Sequence, residues 1–381
     1  MLQLKERSHR KVFGLIRSQG EVSGAMLARQ TDMQPSSLVY ILRHLKEKEL
    51  IRVSGYGTST VKGGKKPVLW EVNPDYGVVI GLEVMNRAIR GVLVNLSGDV
   101  LLRVEKEFNP GKPEKTVSRI KATLSEIITE SPYPREKLLY ISLAVSGIVN
   151  PFDYRIMYSY GLKMEEYDLA SIIAEEFRVP TGIINDANAG ALEEQWFHFK
   201  KEPVSNILYI DYNSASGGLG AGVIINGKLF TGTNGLAGEV FSKIPSLERI
   251  VKREHSQVQA ESSLLDARGK GLSKIQLTEL VHFSSNGCLA SKSSLTQVSS
   301  LISSEISKII VFYDPGLIIL GGDLSNCEKS CCDEIENALA EFFRQSYPHK
   351  IKTPAIRFAQ SKIFSVAIGG TALYLLDELS L

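Results

Sequence analysis

The 381-residue sequence predicts an α/β protein that begins with a small, mainly helical domain. Three observations support this fold class. The first 70 positions hold 13 Lys and Arg against 5 Asp and Glu, and they contain three helix-like segments followed by two short strands. After them, a strand–turn–strand–turn–strand pattern occurs twice, about 130 residues apart. We therefore predict a first domain at 1–72 and two similar lobes at 73–195 and 196–381.

The overall composition predicts a folded protein without a membrane partner. Hydrophobic residues make up 43% of the chain, and the mean hydropathy is −0.02. No apolar run reaches the roughly 18 residues that a membrane-spanning helix needs. The charged amino terminus lacks the apolar core of a signal peptide. We expect a cytoplasmic protein.

The four cysteines are predicted to be reduced and structural, because no Cys-x-x-Cys pair or paired histidine is present. A metal contact by Cys327, Cys331 and Cys332 is the disfavoured alternative.

The first domain has the pattern of three short helices. Residues 8–18 place Val12, Leu15 and Ile16 on one helical face. Ser23 is a plausible N-cap for a second helix, with Met26 and Leu27 facing inward. A third helix starts near Pro35, and its buried positions are Leu38, Ile41, Leu42 and Leu45.

The exposed side of the third helix carries groups that suit nucleic acid. They are Ser36, Ser37, Tyr40 and Arg43. Two strands follow, and the loop between them carries Lys62, Lys65 and Lys66. Short polar groups and an arginine can read base edges, whereas lysines neutralise phosphates. The pattern predicts a winged helix-turn-helix that binds operator DNA. A small bundle that is basic only for solubility is the alternative.

The two lobes share one plan. In the first, strands are predicted at 76–84, 88–96, 99–108 and 138–145, with helices near 114–130 and 168–177. In the second, strands are predicted at 206–212, 221–225, 228–230 and 317–320. Repeats of this size predict a ligand cleft between two lobes. We expect the final helices, including 366–376, to cover the second lobe and help join the two.

A polar stretch ends the last strand of the first lobe. The apolar run 182–184 leads into Asn185, Asp186, Ala187 and Asn188, and small residues then open a helix. An Asp and an Asn at a strand's carboxyl end, beside a helix amino terminus, can bind hydroxyl groups or accept a proton from one. An ordinary N-cap is the alternative.

Several motifs together resemble the ROK family (repressors, uncharacterised frames and sugar kinases), and specifically its repressor branch of the NagC, Mlc and XylR type. These motifs are Ser146-Gly147-Ile148-Val149, Asn185-Asp186-Ala187-Asn188, Gly218-Leu219-Gly220-Ala221-Gly222, Gly238-Glu239 and the 314–322 segment that ends in Gly321-Gly322. The resemblance covers nearly the whole chain. It implies a two-lobed actin-like, ribonuclease H-like ATPase (sugar kinase) fold after the winged helix.

The resemblance also implies roles for individual residues. Asp186 occupies the position of the family's base, which takes the proton from a sugar hydroxyl. Asn185 and Glu239 match residues that hydrogen-bond the ring hydroxyls, beside Gly147, and Glu248 matches a further sugar ligand in a loop that departs from the family. A cap for Asn185, a solvated turn for Glu239 and a helix-start glutamate for Glu248 are the alternatives.

The departures from the family favour a regulator over an enzyme. Where family kinases have an Asp-x-Gly-Gly-Thr phosphate loop, the chain has Glu83-Val84-Met85-Asn86-Arg87. Side chains there obstruct the approach of backbone amides to phosphate. The other phosphate turns keep their glycines, which we interpret as vestigial nucleotide positions: Gly218, Gly220, Gly222, Gly321 and Gly322.

The family's zinc site is also predicted to be lost. Phe241-Ser242 replaces the Gly-His pair, and no cysteine lies between Ser242 and Cys288. Tetrahedral zinc requires four such ligands. We expect no metal and no required cofactor, with ATP and Mg²⁺ relevant only to a kinase.

The sequence therefore predicts a sugar-responsive transcriptional regulator, a repressor of carbohydrate-utilisation genes that binds a hexose or related sugar in the cleft. The family and the palindromic form of operators imply a homodimer or higher homo-oligomer. The alternative is an ATP-dependent kinase for glucose, N-acetylglucosamine or a related hexose, with Asp186 as general base. A DNA-binding scaffold without a ligand is the third interpretation.

Overall fold

The protein is described by a computed structural model. The structure describes residues 7–58, 66–86, 88–108, 111–198, 204–240, 244–257, 271–272, 275–327, 329–346 and 352–377. These residues pack as two compact units. The first unit comprises the described parts of Met1–Asn185, Leu192–Pro203 and Val366–Leu381. The second comprises those of Asp186–Ala191 and Val204–Ser365. The division into three predicted domains stays a prediction.

The amino-terminal module contains three helices and a three-stranded sheet. The helices are α1 (Arg7–Gln19), α2 (Gly24–Thr31) and α3 (Pro35–Glu47), and the strands are β1 (Val22–Ser23), β2 (Ile51–Tyr56) and β3 (Val68–Val72). The sheet order is β1-β3-β2, with both pairs antiparallel. The two-residue strand β1 was not predicted, because it is too short to show an alternating pattern.

Packing in this module follows the helical periodicity of the sequence. All four predicted positions of α3 are buried: Leu38, Ile41, Leu42 and Leu45. Ser23 caps α2, since its Oγ accepts a hydrogen bond from the Met26 amide at 3.3 Å. The prediction that Met26 faces inward was wrong, because 48% of this residue is exposed. In a helix of eight residues the core-facing stripe is narrow, and Leu27 occupies it.

The first unit continues with a five-stranded sheet of order β11-β7-β4-β5-β6. Its strands are β4 (Val78–Val84), β5 (Ala88–Asn95), β6 (Val100–Glu107), β7 (Leu138–Val145) and β11 (Thr181–Asn185). A small sheet holds β8 (Ile148–Val149), β9 (Ile156–Ser159) and β10 (Met164–Tyr167). The helices are α4 (Pro113–Glu130) and α5 (Leu169–Phe177). Strands β4, β7 and β11 pair in parallel, so their carboxyl ends lie at one edge.

The second unit is built on another sheet, of order β14-β13-β12-β16-β17, with β15 also paired to β13. Its strands are β12 (Ile207–Asn213), β13 (Gly218–Ile225), β14 (Lys228–Leu229), β15 (Glu239–Val240), β16 (Leu317–Gly322) and β17 (Ala355–Phe358). Its helices are α7 (Leu247–Gln257), α8 (Leu277–Ser285), α9 (Leu289–Tyr313) and α10 (Lys329–Ser346). A single buried cluster joins the sheet to these helices.

The two main sheets have the same topology, as the internal repeat predicted. In each, the first three strands form an antiparallel meander, and two later strands add in parallel beside the first. Thus β4, β5, β6, β7 and β11 correspond to β12, β13, β14, β16 and β17. The repeat was visible in the sequence because turn residues punctuate both meanders at similar spacing.

The remaining helices follow β11 and end the chain. Helix α6 (Asp186–Glu193) follows β11 directly and continues as a π-helical turn at Glu194–His198. The last helices are α11 (Ser365–Gly370) and α12 (Ala372–Asp377). The expectation that they cover the second lobe was wrong. They pack on the first sheet, where a Cβ at Gly81 would lie 2.0 Å from the Ala367 carbonyl oxygen, and the Tyr140 and Tyr154 hydroxyls both donate to Asp377.

Candidate functional site

Asn185 is the last residue of β11, at the edge where the parallel strands of the first sheet end. Its side-chain amide donates a hydrogen bond to the Gly147 carbonyl oxygen at 3.0 Å. Gly147 has a φ of +133°, and a Cβ there would lie 2.4 Å from the Tyr158 carbonyl oxygen. Only glycine fits that backbone. Gly147 and Asn185 are thus brought together, with the turn held against the strand end, and their sugar-binding role stays a prediction.

Asp186 is the first residue of α6, and its Oδ1 accepts a hydrogen bond from the Ala187 amide at 2.9 Å. The carboxylate therefore lies at a helix amino terminus, where backbone amides and the helix dipole favour negative charge. Asp186 is only partly buried, whereas the small residues after it are buried. The strand-to-helix placement expected from the sequence is confirmed.

Two of the predicted phosphate glycines lie on β13 where it packs against α6. A Cβ at Gly222 would stand 2.1 Å from the Ala187 carbonyl oxygen. A Cβ at Gly220 would stand 3.4 Å from the Ala187 Cβ. Close helix–strand packing therefore accounts for Gly222, whereas a Cβ at Gly220 would make only an ordinary van der Waals contact, and the nucleotide role of both glycines stays a prediction.

Glu239 lies on the neighbouring strand β15, in register with Gly220. Gly238 precedes it with a φ of +89°, and its carbonyl oxygen accepts a hydrogen bond from the Ala221 amide at 2.8 Å. Gly220 thus pairs with Glu239 and also faces Ala187 of α6. Burial raises the pKa of the Glu239 carboxyl above its ordinary value. Glu239 is partly buried in a strand, and its role in sugar binding stays a prediction.

Packing explains only some of the remaining glycines at the predicted nucleotide positions. The Tyr209 ring is fully buried, and a Cβ at Gly321 would stand 2.0 Å from its hydroxyl oxygen. A Cβ at Gly190 of α6 would also meet this ring, at 2.3 Å. Gly322 has a φ of +58°, and Gly218 is exposed on β13.

Glu248 begins α7, and its Oε1 forms an ion pair with Lys252 Nζ at 2.5 Å. Such i,i+4 pairs stabilise exposed helices. This contact agrees with the helix-start alternative, and a sugar-binding role for Glu248 stays a prediction.

The altered phosphate loop contains a buried carboxylate. Glu83 on β4 is 7% exposed, and its Oε2 lies 3.5 Å from Arg90 Nη1 on β5. Arg90 Nε also donates to Glu105 at 2.8 Å. Glu83 therefore forms an ion pair with Arg90. Arg87, the last residue of the altered loop, lies outside the described residues.

The residues of α3 that the sequence predicts to face DNA are exposed, and their role in DNA binding stays a prediction. Ser36, Ser37, Tyr40 and Arg43 are all exposed on the side opposite the buried stripe. The Arg43 guanidinium lies 5.9 Å from the centre of the Tyr40 ring. Lys66 is exposed, whereas Lys62 and Lys65 lie outside the described residues.

One cluster of metal-ligand types was not predicted. Within the described part of the chain, ligand atoms of Glu193, Glu194 and His198 lie within 4.8 Å of one another, and both glutamates are fully buried. His198 Nε2 and Glu193 Oε1 are 2.5 Å apart, which is a direct hydrogen-bond distance. Two zinc ligands of a tetrahedral site stand farther apart, at roughly 3.3 Å. Glu193 and His198 therefore form a His–carboxylate pair, beside the buried Glu194. The sequence signal for this cluster is two adjacent glutamates in a helix.

The described helices include none long and apolar enough to cross a bilayer. Among the described residues, Cys288, Cys327 and Cys332 do not form disulfide bonds.

The repeated sheet topology, with Asn and Asp at the end of β11, defines a two-lobed α/β protein of the sugar-kinase-like class. The chain belongs to the ROK family, whose model matches residues 79–241 and 254–376. Its relatives include regulators of the NagC, Mlc and XylR type.

Two curated relatives match most of the chain, and a third matches a shorter part of it. The xylose repressor of Caldicellulosiruptor bescii is 25% identical over 94% of this chain and 93% of its own length. The Escherichia coli regulator NagC is 24% identical over 88% of this chain and 85% of its own. The xylose repressor of Bacillus subtilis is 32% identical over 58% of this chain and 55% of its own.

Solved structures share the fold. A ROK family transcriptional regulator, described as a homologue of the E. coli Mlc protein, superposes with a TM-score of 0.72 at 20% identity, over 96% of both chains. A ROK family glucokinase from Streptomyces griseus, in complex with glucose and AMPPNP, gives 0.67 at 18% identity, over 78% of this chain and 99% of its own. The kinase fold thus accounts for the lobes, and the regulator also spans the amino-terminal module.

Proposed function

We propose that this protein is a sugar-responsive transcriptional repressor. Its amino-terminal module is a winged helix-turn-helix that binds operator DNA through the exposed side of α3. The observation that carries the proposal is the exposed row Ser36, Ser37, Tyr40 and Arg43, on a helical module that precedes ROK lobes. Relatives named as sugar repressors span the same module and lobes.

The proposed sugar-binding groups are Asn185, Asp186 and Glu239. Carboxylates accept hydrogen bonds from two hydroxyls at once, and the amide of asparagine both donates and accepts. Glu239 is poorly solvated, so hydroxyl donors from a sugar replace solvation that its carboxylate lacks. We propose an aldose as effector and, because of the named relatives, xylose and N-acetylglucosamine as the first to test.

We propose further that sugar binding changes the operator affinity of a homodimer, whose two modules meet half-sites about one DNA turn apart. No metal or nucleotide is needed for this response. A sugar kinase is the second candidate, because Asp186 lies at a helix amino terminus, as a general base near a sugar hydroxyl would. Met85 and Asn86, whose side chains replace the two glycines of the family's phosphate loop, oppose that function.

The test is retention of the DNA upstream of the gene, measured with and without a panel of aldoses at two salt concentrations. Binding that weakens with salt, and that one sugar shifts by about tenfold or more, supports the proposal. Absence of DNA binding, or binding that no sugar alters, contradicts it. ATP turnover with the same panel then tests the kinase.

A further inference from the structure

Arg17, on the last turn of α1, is buried against the π-helical turn that follows α6. It is 7% exposed, and its Nη1 donates a hydrogen bond to the Trp196 carbonyl oxygen at 2.9 Å. Its guanidinium carbon lies 4.9 Å from the centre of the Phe197 ring and 5.6 Å from that of Trp196. Burial lowers the pKa of Arg17 to about 10. A charge so removed from water requires specific partners.

The chemistry of this contact fits a helix end. Residues 186–198 are helical throughout, so the Trp196 carbonyl belongs to the carboxyl-terminal turn, where the helix dipole favours a cation. The planar guanidinium can donate to a carbonyl and stack on aromatic faces at the same time. Arg17 therefore donates a hydrogen bond to a carbonyl at the end of the helix and packs against both aromatic rings.

Phe197 is held from a second side. Gly98, in the turn between β5 and β6, has a φ of +97°, and a Cβ there would lie 3.2 Å from the Phe197 ring. The same Cβ would lie 3.4 Å from Arg17 Nη2. The ring is therefore packed between α1 and this turn, and a shift of the π-helical turn must move one of the two.

Another hydrogen-bonded contact between the module and the rest of the first unit has different properties. Arg52 on β2 donates to Asp75 at 3.0 Å, and Asp75 accepts from the Tyr133 hydroxyl at 2.9 Å. These contacts are exposed, and none of the three residues is on the helix that begins at Asp186. Of these two contacts, only that of Arg17 involves the helix that begins at the proposed sugar site.

We propose that Arg17 is a positioning residue that couples sugar binding at Asp186 to the orientation of α1 in the DNA-binding module, through the helix 186–198. The inference rests on the proposed function. π-Helical turns are rare and occur often at functional sites. Rigid secondary elements can carry coupling between distant sites, and the helix 186–198 is such an element here. Since Trp196 and Phe197 hold Arg17, the displacement reaches α1 without any contact between sugar and the module.

The experiment measures operator affinity of the full-length protein with and without saturating sugar, and sugar affinity by calorimetry. The variant is Arg17→Met, which keeps the aliphatic stem but removes the donor and the charge. We expect the sugar-induced change in operator affinity to fall to less than twofold, while the sugar Kd stays within about threefold of wild type. Retention of the wild-type change would overturn the inference.

Three further variants test whether the loss of response is specific to the Arg17 contact. Arg7→Met removes a charge from the exposed first turn of the same helix and is expected to respond to sugar as wild type does. Loss of its response would overturn a specific role for Arg17. Arg17→Lys is expected to restore part of the response, because an ammonium donates but does not stack. Phe197→Leu, made in case Arg17→Met folds poorly, is expected to reduce the response too, and a full response would contradict the inference.

The two proposals fail in different ways. If the wild-type protein binds neither operator nor sugar, the proposed function is wrong. If wild type responds to sugar and Arg17→Met responds equally, only the coupling through Arg17 is wrong.

Discussion

The side-chain amide of Asn185 donates to the carbonyl oxygen of Gly147 at 3.0 Å, so one residue both ends a strand and holds the neighbouring turn. Removing the amide therefore affects stability as well as any ligand. We expect Asn185→Ala to lower the free energy of unfolding by about 1–3 kcal/mol and sugar affinity by roughly tenfold or more. Denaturant unfolding and calorimetry measure both.

The control is Asn286→Ala, which removes an amide-to-carbonyl bond of 3.0 Å on an exposed helix end. We expect this surface change to cost less than about 0.5–1 kcal/mol and to leave sugar affinity unchanged. Equal effects of both variants on sugar affinity would contradict a direct role for Asn185.

Asp186→Asn separates a sensor from a kinase. The substitution keeps the size of the side chain but removes the base, so a kinase loses turnover by about 10²-fold or more. A sensor has no turnover to lose, and we expect mainly weaker sugar binding. ATP hydrolysis and sugar binding, measured on wild type and variant together, decide between them. Sugar-dependent turnover in wild type that disappears in the variant would establish the kinase.

Gly222→Ala tests the packing of α6 on β13. The new Cβ would lie 2.1 Å from a backbone oxygen, which cannot move without moving the helix. We expect a loss of about 1–3 kcal/mol or more in the free energy of unfolding. Gly55→Ala, on strand β2, is the matched control. Apart from the neighbouring residues of the chain, no atom lies within 4 Å of the position that its Cβ would take. Similar melting temperatures for the two variants would show that α6 is not packed closely here.

The pH dependence of the free energy of unfolding should reveal the ionisation of the Glu239 carboxyl. Burial raises the pKa of its carboxyl above the ordinary 4.5, so the folded chain binds this proton more tightly than the unfolded chain does. The resulting stability is present in full below 4.5 and is lost as pH rises through the raised pKa. Glu239→Gln cannot ionise and should lack this decline. Urea unfolding between about pH 4 and 8 measures it.

Glu165→Gln, on an exposed position of β10, is the control for that series and should follow the wild-type curve. A wild-type profile that matches Glu239→Gln throughout would contradict the burial of this carboxylate.

Arg43 and Lys65 should contribute differently to DNA binding. Arg43→Ala removes a donor from the exposed side of α3 and should cost about 1–3 kcal/mol on the operator, with little effect on random DNA. Lys65→Ala should weaken both DNAs alike and reduce the salt slope by about one. Titrations on operator and random duplexes at several salt concentrations measure this, and equal losses for both variants would contradict the division of roles.

Much of the fold was predictable because periodicity and turn residues are local signals. Strand β7 was predicted with its observed bounds, and α4 begins within one residue of its prediction. Met26 and the final helices were misplaced, since neither a short helix nor a terminal apolar segment specifies its packing partner. Arg17 gave no sequence signal, because a lysine- and arginine-rich helix conceals which cation is buried.

The sequence by itself determined the repeated sheet, the polar side of α3, and the place of Asn185 and Asp186 at a strand–helix junction. These depend on neighbours in the chain. Only the tertiary structure decided that Gly222 makes room for α6, that Glu239 lies beside Gly220, and that Arg17 packs on Phe197. The physical reason is that burial and desolvation depend on residues far apart in sequence, whose approach is set by the packing of whole elements.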